Sequence, residues 1–401
     1  METLWISEAL DEAAALLRAG KLVAVPTETV YGLAGNGLDE QAVHAIYEVK
    51  GRPERKPLSL MVPGPEALDR YGADVPEQAR LLAARFWPGP LTLVVKARPE
   101  IPEIVRAGGE TVGLRCPDHP MTLSLLKKAQ LPFAAPSANP SGAPSPKTAE
   151  EVRRYFDGRI AAIVDGGLCG LGKESTLLDM SRTPYRVLRQ GALAAEEITA
   201  ALREGMTLLG ITGPSGCGKT TALQEVERLG GLVIDCDAVY HRLLQSDPGL
   251  LEELEESFPG TVEDGRLDRK ELGRRVFSDP AALARLNGIA HRNVSAEVDR
   301  LLENWAMAGG TLAAVDAIEL LSSGLGAKCT ATLAVLAPEE TRIERIMARD
   351  GIDREAALLR VRAQKPDSYF VKNCGQVLEN SGDRAAFAEQ VRAWIKEKQK
   401  R

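Results

Sequence analysis

The chain has 401 residues, 44% hydrophobic and 26% charged, with a formal net charge of −6. That length exceeds one ordinary domain, so two are expected, and the acidic balance excludes nucleic-acid binding driven by bulk charge. The six cysteines are scattered with no C-x-x-C pair, which excludes a disulfide framework or a cysteine zinc site. Residues 1–20 are acidic and helical in pattern, without the basic and apolar regions of a signal peptide. No run approaches the length of a membrane span. A cytoplasmic protein that contacts neither membrane nor DNA is expected.

Taken in chain order, Lys21–Val25 predicts a strand running into a hydroxyl-rich turn, Pro26-Thr27-Glu28-Thr29-Val30-Tyr31-Gly32-Leu33. A helix carries Ile46-Tyr47-Glu48-Val49-Lys50-Gly51-Arg52-Pro53. Further on come Trp87-Pro88-Gly89-Pro90-Leu91-Thr92, Thr111 to Arg115, Ser137-Ala138-Asn139, and Glu174-Ser175-Thr176. Hydroxyl and glycine turns with separate basic residues at 50, 52, 115 and 189 suit an anionic ligand gripped by discrete side chains and turn N–H groups. On residue pattern alone this half binds a phosphorylated small molecule or RNA. Residues 192–206 read as a closing helix capped by Gly205, placing the domains at 1–203 and 204–401.

The second half opens on its most specific motif. A short strand of Leu208, Leu209 and Ile211 delivers Gly213-Pro214-Ser215-Gly216-Cys217-Gly218-Lys219-Thr220-Thr221, and Ala222–Val226 continues as a helix. This is the phosphate-binding loop pattern in its required strand-to-helix setting. The glycines let successive backbone N–H groups turn toward a polyphosphate, and the helix N-terminus adds its dipole. Lys219 would neutralise the β- and γ-phosphates, and the Thr220 hydroxyl would ligate Mg²⁺. This half binds a nucleoside triphosphate.

A second strand ends in Asp235-Cys236-Asp237, with the two acids alternating toward the strand's C-terminal edge, where ligands of open α/β sheets bind. Either acid could take the proton of an attacking hydroxyl, or cap a helix. A third strand ends in Asp316, suited to Mg²⁺ or its water shell, and a fourth covers Thr332–Ala337. The helix after Pro338 carries Arg345 and Arg349, which with Arg354 form either a lid over the triphosphate or a solvated basic face.

The first half resembles the YrdC-like threonylcarbamoyl-AMP synthases over about residues 5–200. The resemblance rests on Lys50-x-Arg52 with Ser137-x-Asn139, the Pro26–Leu33 motif and Trp-Pro-Gly-Pro-Leu-Thr. It implies a twisted open α/β sheet with a basic cavity. It also implies condensation of L-threonine, bicarbonate and ATP into L-threonylcarbamoyladenylate and pyrophosphate, for N6-modification of adenosine 37 in tRNA. Carried over, Lys50, Arg52, Thr111, Ser137, Asn139, Ser145 and Arg189 would hold ATP. Thr27, Tyr31, Arg115 and Ser175 would hold threonine, with Arg115 on its carboxylate. Lys50 and Arg52, with Mg²⁺, would stabilise the expelled pyrophosphate. The sequence departs from the family at Met61, where some members have histidine, and at Lys147, where the family's Ser-Pro-Thr ends in threonine.

Nearly all of 207–401 resembles dephospho-coenzyme A kinase. The phosphate-binding loop, Val-Ile-Asp-Cys-Asp-Ala, Gly265-Arg-Leu-Asp268, Arg349-Asp-Gly-Ile and Glu379-Asn380-Ser-Gly382 occur in the family's order. This implies a parallel sheet with helices on both faces and ATP-dependent phosphorylation of the dephospho-CoA 3′-hydroxyl. Asp237 would be the base, Lys219 the phosphate-side cation and Arg349 the lid residue on ATP. Gly213, Gly216, Cys217, Gly218, Thr220 and Thr221 would contact ATP, and Thr220 and Asp316 would hold Mg²⁺. The departures are Asp316-Ala-Ile-Glu319-Leu-Leu-Ser322 and the Arg292 that follows His291, both on the acceptor side. Substrates would be ATP, L-threonine, bicarbonate and dephospho-CoA, with tRNA or tRNA-modification proteins as candidate partners. A second organisation is an RNA-binding module fused to an ATP sensor, or to a kinase for another acceptor; with only 4% aromatic residues a base-stacking platform is disfavoured.

Overall fold

The computed structural model describes residues 2–400. The chain divides into two compact units, one ending at Gly205 and the other beginning at Met206, with Met307–Gly309 grouped with the first.

Among the described residues, the first unit holds eleven strands: β1 (Leu4–Ile6), β2 (Val23–Val25), β3 (Gly32–Asn36), β4 (Ser59–Met61), β5 (Gly72–Ala73), β6 (Leu91–Ala97), β7 (Thr111–Arg115), β8 (Phe133–Ala134), β9 (Ala162–Val164), β10 (Thr176–Asp179) and β11 (Arg186–Arg189). They form one open mixed sheet in the order β1-β9-β2-β3-β8-β4-β7-β6-β10-β11, with β5 paired to β6. Helices Leu10–Arg18 and Pro120–Ala129 pack Ala13, Leu17, Leu125 and Leu126 against Val23, Val25 and Phe133 on one face. Helix Glu40–Lys50 covers β3. Asp39 starts it by accepting from the Gln41 N–H at 2.9 Å, and Gly51, with φ +59°, ends it. Glycine is the residue that adopts this left-handed stop without strain. Lys50 is therefore the last helical residue, and Arg52 lies outside the helix.

The second unit contains β12 (Thr207–Thr212), β13 (Leu232–Asp235), β14 (Val262–Glu263), β15 (Arg266–Leu267), β16 (Leu312–Asp316), β17 (Ala331–Leu336) and β18 (Gln376–Glu379). Five of these form a parallel sheet in the order β13-β16-β12-β17-β18, and β14 and β15 form a separate hairpin. Alternate residues point to opposite faces of a strand. Leu208, Ala313 and Val315 accordingly join a core with helices Cys236–Ser246, Pro248–Ser257 and Pro280–Met307. Leu209, Ile211, Leu312 and Ala314 join another with helices Lys219–Arg228 and Arg384–Gln399. Both faces are covered, which is why these strands read as continuous apolar runs.

β12 sits centrally, between β16 and β17, and its C-terminal end delivers the glycine-rich loop. Gly213 has φ +140°, and a Cβ there would overlap the Val335 carbonyl oxygen. Gly213→Ala should destabilise the second unit by at least about 1–3 kcal/mol, from backbone strain and displacement of β17. Denaturant unfolding followed by tryptophan fluorescence checks this.

Candidate functional site

In the first unit, β4 and β7 run parallel, with Met61 opposite Arg115 at their C-terminal ends. Gly32 bridges to Ser137 nearby, and Ser175 precedes β10. Between these elements lies a cleft of about 200 Å³, whose lining includes the guanidinium residues Arg52, Arg115 and Arg189.

The Arg115 side chain is only 8% exposed and already engaged. Its Nη2 donates to Thr29 Oγ1 at 2.8 Å and lies 2.8 Å from Glu28 Oε1, and its Nε donates to the Gly89 carbonyl at 3.3 Å. Glu28 is partly buried, with its Oε1 enclosed, and its Oε2 accepts from the Asp118 N–H at 3.0 Å. Ser175 Oγ shares a 2.7 Å hydrogen bond with Thr92 and accepts from Arg189 at 3.3 Å. Arg189 also donates to the Ser175 carbonyl at 2.8 Å, and Arg52 to the Pro57 carbonyl at 3.1 Å. Burial first, then neighbouring cations, pushes the Lys50 ammonium down from 10.5 to about 7. Its Nζ donates to the carbonyls of Ser137 and Asn139, fixing that loop to the helix end. Asn139 Oδ1 is buried without a hydrogen-bond partner.

The cleft thus brings together Arg52, Ser137, Arg189, Arg115, Tyr31 and Ser175. Lys50 and Asn139 lie behind its wall, joined to each other, and Ser145 reaches it through a 2.7 Å bond to Glu174. That bond is the chief reason the Glu174 carboxyl sits below its usual range.

Two of the expected residues lie outside the lining of the cleft. Thr27 is fully buried and does not line the cleft. Its hydroxyl closes the turn instead, donating to the Val30 carbonyl at 2.7 Å, contacting Thr29 Oγ1 at 2.8 Å and accepting from the N–H groups of Thr29 and Val30. Thr27 therefore acts through Thr29, which holds Arg115. Thr111 starts β7, the strand that Arg115 ends, so it lies about 13 Å from the cleft end. Tyr31 lines the cleft, but its hydroxyl is committed to the Gly167 carbonyl at 2.9 Å and the Gly166 N–H at 3.1 Å. Met61 lines the cleft too, so the departure from histidine falls at the site itself. Glu28 and Glu174 had no role in the sequence reading; the only signal was an acid beside a motif hydroxyl in each case.

In the second unit, Gly216 and Gly218 have φ of +78° and +95°. A Cβ on Gly216 would meet the Arg342 carbonyl oxygen at 2.7 Å, and one on Gly218 would overlap the Asn380 amide. The loop is laced in place. Ser215 N–H donates to Gln364 Oε1 at 2.9 Å, Asn380 Nδ2 to the Cys217 carbonyl at 2.9 Å, and Arg342 Nε to the Ser215 carbonyl at 3.1 Å. Cys217 is buried in this lacing, while Lys219, Thr220 and Thr221 open the following helix.

Lys219 Nζ donates to the Gly213 carbonyl at 3.1 Å and lies 3.9 Å from Asp316 Oδ1. That oxygen is buried and has no hydrogen-bond partner. Burial raises the Asp316 carboxyl; Lys219 opposes this, and the charges of Asp235 and Asp237 add to it.

Asp235 and Asp237 do not share a strand edge. β13 stops at Asp235, whose Oδ1 caps the next helix by accepting from the N–H groups of Asp237 and Ala238 at 2.9 and 3.0 Å. Asp237 stands in that helix's first turn and lines a second cleft of about 210 Å³, together with Tyr240, His291, Ile318 and Glu319. The Glu319 carboxylate is bonded to the Ser322 hydroxyl, so the Asp316–Ser322 departure meets this cleft, whereas Arg292 is ion-paired with Glu253 and does not line it.

The expected lid arginines separate in the structure. Arg349 is held by its neighbour Asp350 at 2.7 and 2.9 Å, and Arg354 by Glu340 at 2.8 Å. Arg345 instead reaches the loop, donating to the Gly216 and Cys217 carbonyls at 3.2 and 3.3 Å, and Arg342 joins it.

Residues 15–191 match the family model described as telomere recombination (Sua5, YciO, YrdC), and residues 207–386 match that of dephospho-CoA kinase. The first half is 47% identical over 192 residues to a threonylcarbamoyl-AMP synthase of Pyrococcus abyssi, covering 48% of this chain and 56% of that protein. The chain thus spans little more than half of that relative's length. A threonylcarbamoyl-AMP synthase of Halorhodospira halophila is 38% identical over 167 residues, which are 42% of this chain and 87% of that one. The second half is 42% identical over 190 residues to a dephospho-CoA kinase of Deinococcus radiodurans, covering 47% of this chain and 91% of that one. The chain belongs to both enzyme families, one in each half. No described helix is long and apolar enough to cross a membrane.

The Lys50 shift gives a signed expectation. Its folded value, about 7, lies below the ordinary 10.5, so between these values the ammonium is largely deprotonated in the folded free protein. The unfolded chain therefore holds more protons at this group than the folded one, and the first unit should gain stability as pH rises from about 7 to 9. Thermal unfolding of the full chain across that range checks this, with Lys50→Met expected to flatten the dependence.

Proposed function

We propose that the first unit condenses L-threonine, bicarbonate and ATP into L-threonylcarbamoyladenylate and pyrophosphate, and that the second phosphorylates the 3′-hydroxyl of dephospho-CoA with ATP. The observation that carries the first reading is the arrangement of Arg52, Arg115 and Arg189 around one cleft at the strand ends. Three fixed guanidiniums suit a substrate set containing a polyphosphate and a carboxylate. Arg52 and Arg189 are assigned to ATP with Ser137, and Arg115 to threonine's carboxylate beside Ser175. Lys50 and Asn139 support the loop that carries Ser137. No acid–base pair is required: the carbamate oxygen attacks the α-phosphate, and the cleft positions reactants and stabilises the pyrophosphate as it leaves. The product would supply the threonylcarbamoyl group for N6-modification of adenosine 37 in tRNA.

The second reading is supported by the laced phosphate-binding loop with Asp237 in the adjoining cleft. Loop N–H groups and Lys219 would hold the triphosphate, and Asp237 would accept the proton of the attacking hydroxyl. Thr220 and Asp316 fit a Mg²⁺ ion, since the buried Asp316 oxygen lacks a partner and Mg²⁺ is commonly held by one or two protein oxygens plus phosphates. When bound, that ion neutralises charge on the β- and γ-phosphates.

Arg115→Lys should raise the KM for threonine at least tenfold, from loss of roughly 1.5–3 kcal/mol of charged hydrogen bonding, and move the KM for ATP much less. Steady-state kinetics with each substrate varied in turn decides this; equal weakening of both would sink the division of the cleft.

Lys219→Ala should abolish CoA formation and leave threonylcarbamoyladenylate synthesis largely intact. Asp237→Asn should lower kinase kcat by roughly 10²–10⁴ with ATP affinity little changed. Mass spectrometry of both products from one incubation reads the two activities together, and loss of both in folded Lys219→Ala would refute separate sites.

A further inference from the structure

The three guanidiniums of the first cleft share it with an acid. Among the described residues that line it, Glu174 is the one carboxylate. Its Oε1 accepts from Ser145 Oγ at 2.7 Å, and its backbone carbonyl accepts from the Ala192 N–H at 2.9 Å, so its place is set from two sides. The Ser145 bond, with the charges of Arg189 and Lys173, holds the carboxyl below its usual range, so it is ionised when a ligand arrives. Arg189 directs its own donors to the Ser175 carbonyl and hydroxyl, and no ion pair engages Glu174 among the described residues. A carboxylate has about four acceptor sites, so capacity is left beyond the Ser145 bond.

An acid in this place opposes the ligand that the arginines attract. A bare triphosphate is drawn by Arg52 and Arg189 and repelled by Glu174. A triphosphate carrying a divalent cation escapes that conflict, because the cation lowers the ligand's charge and offers the carboxylate an opposite one. The residues fit such a cation: Mg²⁺ is commonly held by one or two carboxylates together with substrate phosphates and water. No group of three or more His, Cys, Asp or Glu able to hold a metal occurs among the described residues, so the cation has to arrive on the phosphates.

We propose that Glu174 is a specificity-determining residue of the first cleft, admitting the nucleotide as its divalent-cation complex and opposing the metal-free triphosphate. The inference rests on the reading of this cleft as the site of ATP and L-threonine. The charges around the acid place it on the polyphosphate side. Arg189 and Lys173 act on it, whereas Arg115, assigned to the amino acid's carboxylate, is matched by Glu28. Ser145, which does not itself line the cleft, serves to fix the acid.

The test reads the first cleft alone, because L-threonine is the reporter. Two ligands are compared on the full chain: α,β-methylene ATP, whose α–β bridge the proposed reaction cannot break, and its exchange-inert chromium(III) complex. The paramagnetic Cr³⁺ speeds the relaxation of methyl protons of threonine held beside it, so titration of the complex gives its affinity at this cleft. Displacement by the metal-free nucleotide in EDTA gives the other affinity. The unmodified protein should favour the complex by about tenfold or more. Glu174→Gln, whose amide oxygen can still accept from Ser145, should reduce that preference to within about threefold, chiefly by strengthening the metal-free ligand, and leave threonine affinity within about twofold. Thermal unfolding confirms that the variant is folded. An undiminished preference in folded Glu174→Gln overturns the proposal, and so does the lack of any preference in the unmodified protein. If the complex leaves threonine's relaxation unchanged in the unmodified protein, the two ligands do not share the cleft. The reading of the cleft then falls together with the proposal, and the two failures are told apart.

Discussion

Cationic groups drawn out of water need compensation before any anion arrives, and both units are arranged around that requirement. Burying an unpaired charge costs far more than a folded domain can spare. Arg115 is met by Glu28 and Thr29, Lys50 by the carbonyls of Ser137 and Asn139, Lys219 by the Gly213 carbonyl and Asp316, and Arg345 by the carbonyls of Gly216 and Cys217. Arg115 and Lys50 end a strand and a helix and Lys219 begins a helix, whereas Arg345 reaches its partners from mid-helix. Each is also held by groups that a bound anion can replace or share.

This self-compensation links stability to binding. A carbonyl partner carries no net charge, so Lys50 keeps most of its burial penalty and its ammonium is displaced to about 7. A carboxylate partner neutralises the cation, as Glu28 does for Arg115. The two devices leave the first unit with cations compensated to different degrees, Lys50 by dipoles alone and Arg115 by a full opposite charge.

Legibility in the sequence followed how far each feature depends on local chemistry. The glycine-rich loop was readable because Gly213, Gly216 and Gly218 are demanded both by positive φ and by close neighbours, and few residues satisfy that. The parallel strands of the second unit were readable as apolar runs. That Thr27 and Thr111 stand off the cleft lining was not legible, for different reasons. A threonine in a hydroxyl-rich turn serves a ligand or its own backbone equally well by pattern, and a strand carries its functional residue at only one end, which periodicity does not name. Asp235 and Asp237 looked equivalent because an alternating pair implies a shared strand face, whereas the strand turns into a helix with no intervening loop. The lid arginines were ambiguous because Arg345 and Arg349 share a helix face yet lie about 6 Å apart along its axis, while Arg354 opens the next helix. Only tertiary placement decides which end meets the loop.

The two units thus represent opposite solutions to the problem of holding a polyphosphate. In the second, the donors are backbone N–H groups of a loop whose shape is enforced by glycine and laced by Arg342, Gln364 and Asn380. A separate cleft beside it contains Asp237, His291 and Glu319. The Asp316–Ser322 departure from the family pattern falls at that cleft while the loop is unaltered, since backbone recognition is indifferent to side chains that do not disturb the turn. In the first, recognition depends on individual guanidiniums, each needing its own partner, so a change at one position alters a neighbour's charge balance. Met61 fits this contrast. A thioether in place of an imidazole removes a donor and a titratable group from the strand beside Arg115, while Glu28 and Thr29 still fix the guanidinium. What it changes is the polarity of the cleft at that point, not the charge balance of Arg115.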